Sequence, residues 1–428
     1  MEMGIAVNPT GEATAKLVAY LRSPLAIRAR CRLLFEYAIA GKSRYFDCDL
    51  TQIEHVADYV IEVIRSDYPD LQIPFHSRWR HFEVGGIPRL AQLNEQLAGL
   101  SAEAKAIAKY DLAIISVLLD AGAGNNWYYH EQDTNLGFKR SEGLAVASFR
   151  MFCAGAFSND KNQPLRVDAE KLQNLTHTEL SNGFQVTTEN PLVGIDGRLK
   201  LLQKLGEVVA ASPQLFADFG DLDKSGKNNL RPGNLVKYLI NQTSNHQIAA
   251  ATVLESVLSN FSEIWSGRLK IANVNLGDVW FHSHIQEVEK DGFVPFHKLS
   301  QWLTYSLLEP LEELGLEITN LDELTGLPEY RNGGLCLDLG LIRPKHPHIL
   351  HQTHSIASEM IVEWRALTVI LLDEIAKNIR QKLKMGDTEL PLVKILQGGT
   401  WTAGRKIAAE LRNGGFSPLQ IESDGTVF

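Results

Sequence analysis

Between residues 358 and 384, apolar side chains recur at Met360, Trp364, Leu367, Leu371, Ile375, Ile379 and Leu383. Steps of three and four residues line one face of a helix, so the spacing predicts a single long helix that ends at Gly386-Asp387. Residues 106–120, AIAKYDLAIISVLLD, are apolar on nearly every side, which predicts a buried central helix. Helical patterns also cover 13–40, 198–212 and 247–265, and Ser141-Glu142 opens another through SEGLAVASFRMF. Strand-like alternation is confined to 184–188 and 278–282. No Pro/Gly/Ser-rich linker, low-complexity tract or fixed-period repeat divides the chain. The expectation is a mainly α protein with few short strands, one compact helical domain over 1–428. Any division into lobes is expected at 1–165 and 166–428.

Composition narrows the function classes. The chain has 428 residues, 44% of them hydrophobic and 22% charged, which is enough apolar material for a substantial core. Its formal net charge of −9 argues against nucleic acid as a partner. No apolar run reaches the roughly 18 residues that a membrane span needs, so no membrane is expected. The N-terminal MEMGIAVNPTGEA has no apolar core of a secretory signal, and a cytoplasmic location is expected. Cys31, Cys48, Cys153 and Cys336 are scattered without a CxxC pair and read as reduced thiols. Asp221-Leu-Asp223-Lys-Ser225-Gly226 opens like a calcium loop, but its twelfth position is Pro232 where a bidentate Glu is needed, so it reads as a polar turn.

Several clusters could carry chemistry. Residues 74–86 bring His76, Arg78, Trp79, Arg80 and His81 together. Such a run can hold a planar ligand against Trp79 and an anion with an arginine, although a surface loop with snorkelling arginines reads the same way. Asn125, Asn126, Trp127 and Tyr128 follow directly on the apolar helix, where a pocket floor is often built; packing and capping are the alternative. Glu329, Tyr330 and Arg331 set a carboxylate beside a phenol and a guanidinium, which suits a positioned acid or base or a local ion pair. His346, His348, His351 and His354 would include a helical ligand pair if 349–354 were helical, but surface histidines are the default. His282 and His284 form a further pair of the same standing. Gly398-Gly399-Thr400 ahead of a helix would offer free N–H groups to an anion, with Trp401 and Arg405 nearby.

Taken together, PFHSRWRHFEVGG (74–86), LLDAGAGNNWYYHE (118–131), KRSEGLAVASF (139–149), GGTWTAGRKIAAELR (398–412) and SDGTVF (423–428) resemble the URC-pathway uracil-catabolism family. The likeness is to its fourth component, the fungal uracil-regulated type, and spans almost the whole chain. It implies a role in breaking down uracil after ring opening, with ribosylurea or its phosphate as the expected intermediate. The order of blocks is also similar to the queuosine salvage N-glycosidase family, whose helical fold resembles DNA glycosylases. That family's aspartate-asparagine-aromatic-tryptophan block corresponds to LLDAGAGNNWYY, its leucine-threonine…aspartate-tyrosine-arginine block to LTGLPEYR, and its Glu-x-Arg-Ala run to Glu363-Trp364-Arg365-Ala366. This chain departs from it with Glu329 for aspartate, Asn332-Gly333-Gly334 for proline-glutamine, and His297-Lys298-Leu-Ser-Gln301 for a Lys-Arg-Ala-Gln run.

The resemblance implies hydrolysis of an N-ribosidic bond in a small ribosyl substrate, without metal or other cofactor. Glu329 would stabilise the oxocarbenium-like charge and His297 would protonate the leaving group. Trp127 and Tyr128 would line the pocket, and Asn125 or Asn126 would hold the amide. Arg331 and the His76–His81 cluster would grip sugar or phosphate, with Tyr330, Arg365, Trp401 and Arg405 contributing to binding. A metal-dependent amidohydrolase built on His346, His348, His351 and His354 and a non-catalytic metabolite-binding protein remain as alternatives.

Overall fold

The computed structural model describes residues 11–124, 126–222, 228–265 and 269–422, with the backbone alone at 218–222 and 228. The chain is mainly helical, and among the described residues no sheet exceeds two strands. Its residues gather into two compact units, each assembled from separated stretches. The first takes the described parts of 1–76, 267–301 and 320–422, the second those of 77–266 and 302–319.

In the first unit the predicted long helix runs Glu359–Leu383. Ser358 starts it by accepting the Ile361 N–H, and Lys384 ends it in a left-handed conformation, φ 56°. From Met360 to Leu372 every residue is buried, so the apolar stripe expected from sequence widens into a fully enclosed segment. Helices Pro24–Ile39, Ile53–Asp67 and Tyr330–Asp338 pack around it. At Gly333 a Cβ would sit 2.5 Å from the Trp364 ring, so glycine is what lets Tyr330–Asp338 lie against the central helix. The expected single helix over 13–40 is two, Gly11–Leu21 and Pro24–Ile39. The cause is local: Ser23 caps Ala26, and Pro24 fits the first helical turn but cannot continue a preceding helix. Strand Val279–Phe281, within the predicted 278–282, pairs antiparallel with Phe293–Pro295, with Val279 opposite Pro295.

In the second unit the apolar helix is Ala102–Leu118, capped by Ser101 and buried throughout 106–118. Helix Arg140–Cys153 packs on it, and the short hairpin Tyr129–Glu131/Leu136–Phe138 stands before that helix. Ile195–Ala211 and Ala250–Asn260 correspond to the patterns at 198–212 and 247–265. The strand expected at 184–188 does not form. Gln185 is left-handed, φ 54°, and its side chain, not its backbone, bonds to the main chain of His130. Asp223, Ser225 and Gly226 of the calcium-like loop lie outside the described residues. No helix among the described residues is long and apolar enough to cross a membrane.

Candidate active site

Two sequence blocks meet on one acid in the first unit, and a third joins them through Arg365 and Gln301. Asp278 immediately precedes strand Val279–Phe281. Its carboxylate accepts both terminal N–H groups of Arg365 at 2.8 Å, the Trp280 indole N–H at 2.6 Å and the Lys298 backbone N–H at 2.9 Å. Its carbonyl also accepts the N–H groups of Phe296 and His297. Burial would raise this carboxyl. The Arg365 guanidinium and the donated hydrogen bonds outweigh burial and hold it well below the usual carboxylate range. Arg365, 1% exposed, covers the Phe296 ring at 4.1 Å and reaches the Pro328 carbonyl through Nε. Gln301 closes the arrangement by donating to Thr325 Oγ1 at 2.8 Å and accepting the Thr325 N–H at 2.8 Å. The 297–301, 324–331 and 363–366 blocks, far apart in the chain, are therefore joined by direct hydrogen bonds.

Glu329 is the N-cap of helix Tyr330–Asp338 and is 6% exposed. Its two oxygens accept the N–H groups of Arg331 at 2.7 Å and Asn332 at 2.6 Å. Burial pushes its carboxyl up, opposed by those two hydrogen bonds and by the charges of Lys298 and Arg331. His297 is left-handed, φ 50°, and buried. Its Nε2 lies 2.8 Å from the Leu21 carbonyl, which can only accept, so that nitrogen carries the proton. Burial pushes the imidazole below its ordinary value. Arg331 donates to the Gly415 carbonyl and lies 4.9 Å over the Tyr330 ring.

Other predicted residues of this unit form a second group. His76 contacts the Gln397 side chain at 2.9 Å and the Trp401 ring at 5.7 Å, and Arg405 lies over Trp401. From sequence, Gly398-Gly399-Thr400 is expected just ahead of a helix start; in the structure these residues already lie within a helix. They form a wide π-helical turn inside a continuous helical run from Leu392 to Leu411, so their N–H groups are not those of a free helix start. Gly404 matters by contrast: any Cβ there would press into the Arg331 carbonyl, where helices Trp401–Leu411 and Tyr330–Asp338 touch.

The remaining candidates belong to the second unit and are largely internal. Arg78 is fully buried, donating to Ser116 and Ser141 and pairing with Asp120 at 3.2 Å. Burial pushes it below its ordinary value, opposed by Asp120. Trp79 donates to the Ser306 carbonyl, Arg80 pairs with Glu309 at 2.7 Å, and His81 packs on Trp302. Trp127 is wholly buried and donates to the Phe184 carbonyl at 2.9 Å, whereas Tyr128 and Asn126 are exposed. Asn125 lies outside the described residues.

The C-terminal histidines do not share a helix face. Pro347–Leu350 is a short 3-10 turn and Thr353–His354 a strand; His346 stacks on His348, and His354 meets the Ile349 carbonyl. Among the described residues no three His, Cys, Asp or Glu side chains converge in a way that could hold a metal ion. The four cysteines are free thiols, with Cys31 and Cys336 buried.

Sequence reasoning missed Asp278. Nothing marks it locally beyond an acid at the edge of a strand. It also missed the buried contact of Glu363 with Ser43 and, at 3.6 Å, with His282.

Comparison with known proteins bears on the whole chain. Residues 20–428 match the family described as "Protein of unknown function (DUF1688)". "Uracil catabolism protein 4" of Lachancea kluyveri is 38% identical over 446 residues, covering 96% of this chain and 99% of that protein. "Protein urg3" of Schizosaccharomyces pombe is 39% identical over 427 residues, covering 97% of this chain and 100% of that protein. The chain therefore belongs to the DUF1688 family.

Proposed function

We propose that the protein acts in uracil catabolism, hydrolysing the N-ribosidic bond of ribosylurea or its phosphate to urea and ribose or ribose phosphate. The name of the Lachancea kluyveri relative supports the pathway. The observation that supports the chemistry is that the Asp278–Arg365 pair bonds both to His297, through the Asp278 carbonyl, and to Pro328, the residue before Glu329. Cleavage of such a bond passes through an oxocarbenium-like state, and a carboxylate beside C1′ stabilises it. Glu329 is rigidly held by two backbone N–H groups, and burial raises its carboxyl toward the range useful for general acid–base work. In the balanced reaction water supplies the hydroxyl to C1′ and the proton to the departing nitrogen. The His297 N–H, on release from Leu21, can donate a hydrogen bond to that nitrogen while the proton comes from water. Arg331, His76 and Arg405 are the proposed grips for sugar or phosphate.

The capping bonds of Glu329 also favour a second reading, in which the same residues bind a uracil-derived metabolite without turnover. The test is urea release from ribosylurea and from its 5′-phosphate by the purified protein, beside Glu329→Gln. Turnover lost in Glu329→Gln is expected. Saturable binding with no urea formed would replace hydrolysis by the binding reading, and neither binding nor turnover would sink both.

A further inference from the structure

The second unit holds a cavity of about 340 Å³ that the proposed chemistry does not use. It is lined by Tyr129, Glu131 and Asp133 of the hairpin segment, by Arg150 and Met151 at the end of helix Arg140–Cys153, and by Asn182 at the end of helix His177–Gly183. At its base Glu131, 1% exposed, accepts four hydrogen bonds. Arg89 donates Nε at 2.8 Å and a terminal N–H at 2.5 Å, Thr134 donates its hydroxyl at 2.7 Å, and Arg150 donates Nε at 2.6 Å. Burial pushes the Glu131 carboxyl up, but these bonds hold it down at about 2, so it is ionised at any working pH.

Two guanidinium groups thus share one carboxylate, which leaves one positive charge at the base. Arg150 is fixed through Nε, and its outer nitrogens have no hydrogen bond among the described residues. Its remaining anionic neighbour is Asp133, 3.5 Å from Nη1, with a side chain 75% exposed. An exposed acid at that distance contributes little. It stands where a ligand oxyanion would sit. Tyr129 and Asn182 also line the cavity and carry a hydroxyl and an amide that can donate. Gly183 and Gln185 fix the wall: a Cβ at Gly183 would press into the Met151 thioether, and Gln185 bonds to both backbone groups of His130.

We propose that this cavity binds a small organic oxyanion of about sugar-phosphate size, with Arg150 as its anchor. An arginine held from behind by a buried carboxylate presents a rigid fork to a phosphate or carboxylate. The volume falls at the lower end of ordinary small-molecule sites and well above a bare ion. This inference does not rest on the hydrolase reading.

Calorimetric titration of the full chain with ribose 5-phosphate, ribose, inorganic phosphate and succinate tests it. Saturable binding of ribose 5-phosphate or succinate is expected, the preference between them identifying the phosphate or carboxylate source, with ribose silent. Arg150→Met is expected to weaken binding tenfold or more. Asp133→Asn, at an exposed position that leaves folding intact, is expected to tighten it several-fold by removing the competing carboxylate. Asn182→Ala, also exposed, is expected to weaken it several-fold. No saturable binding of any anion, binding of inorganic phosphate alone, or an Asp133→Asn variant that binds no better would overturn the proposal.

Discussion

Asp278→Ala is the most informative single change for the first unit. It removes the acceptor of both terminal Arg365 N–H groups, the Trp280 indole N–H and the Lys298 N–H in one step. Arg365 is 1% exposed, and the Pro328 carbonyl, 3.4 Å from Nε, and the Phe296 ring stay beside it. Removing one partner of a buried, hydrogen-bonded ion pair costs about 3–5 kcal/mol. For a cooperative unit on the order of 200 residues, that is a fall of roughly 6–20 °C in melting temperature.

The assay is a double-mutant cycle by urea denaturation with Asp278→Leu, Arg365→Met and the double variant. Each single variant leaves a buried charge without its ion-pair partner; the double leaves neither charge behind, so it is expected to be more stable than either. The acidity of Asp278 sets the pH dependence. Its carboxyl is lowered in the folded state, so its contribution is complete above the unfolded aspartate value near 3.9 and is lost only as pH falls through the lower folded value. The Asp278→Ala deficit should therefore be flat from about pH 5 to 8 and shrink only in stronger acid. A deficit under about 1 kcal/mol, or single costs that simply add in the double variant, would refute the account of a buried, desolvated hub.

Trp127→Phe should lose about 1–3 kcal/mol by stranding the buried Phe184 carbonyl, while changing the affinity of any ligand little, as judged by denaturation beside titration. Gly404→Ala should cost about 1–3 kcal/mol through overpacking against the Arg331 carbonyl, seen as a lower thermal midpoint. Glu131→Gln should destabilise at neutral pH, and its difference from the parent should fade below about pH 4 as the native carboxylate nears its own titration at about 2. Burial raises the Cys153 thiol to about 11 and Cys48 to about 12, so a thiol reagent near pH 8 should label the native protein slowly and all four cysteines rapidly after denaturation.

Periodicity alone determined the helical class and its two central helices. Steps of three and four between 360 and 383 have one geometric solution, and an all-round apolar segment such as 106–118 is stable only when surrounded. Ser23-Pro24 carried enough local chemistry to mark a helix start inside an otherwise continuous pattern. The Glu-Tyr-Arg block was legible as a carboxylate beside a phenol and a guanidinium, but its capping geometry was not.

Tertiary structure decided the rest, because hydrogen-bond partners hundreds of residues apart leave no trace in local spacing. Asp278 became a hub only when residues 278, 298 and 365 were brought together. Trp79 and Trp127, which in sequence resemble ligand-stacking rings, turned out to be buried side chains with backbone carbonyl partners. An aromatic beside polar residues reads alike in a core and in a pocket. Gly398-Gly399 looked like a helix start, yet close packing against Val60, Ile64 and Ile73 holds it within a helix. Sequence supplied the kinds of chemistry present, and long-range packing decided which groups are enclosed, which are paired and which face a cavity.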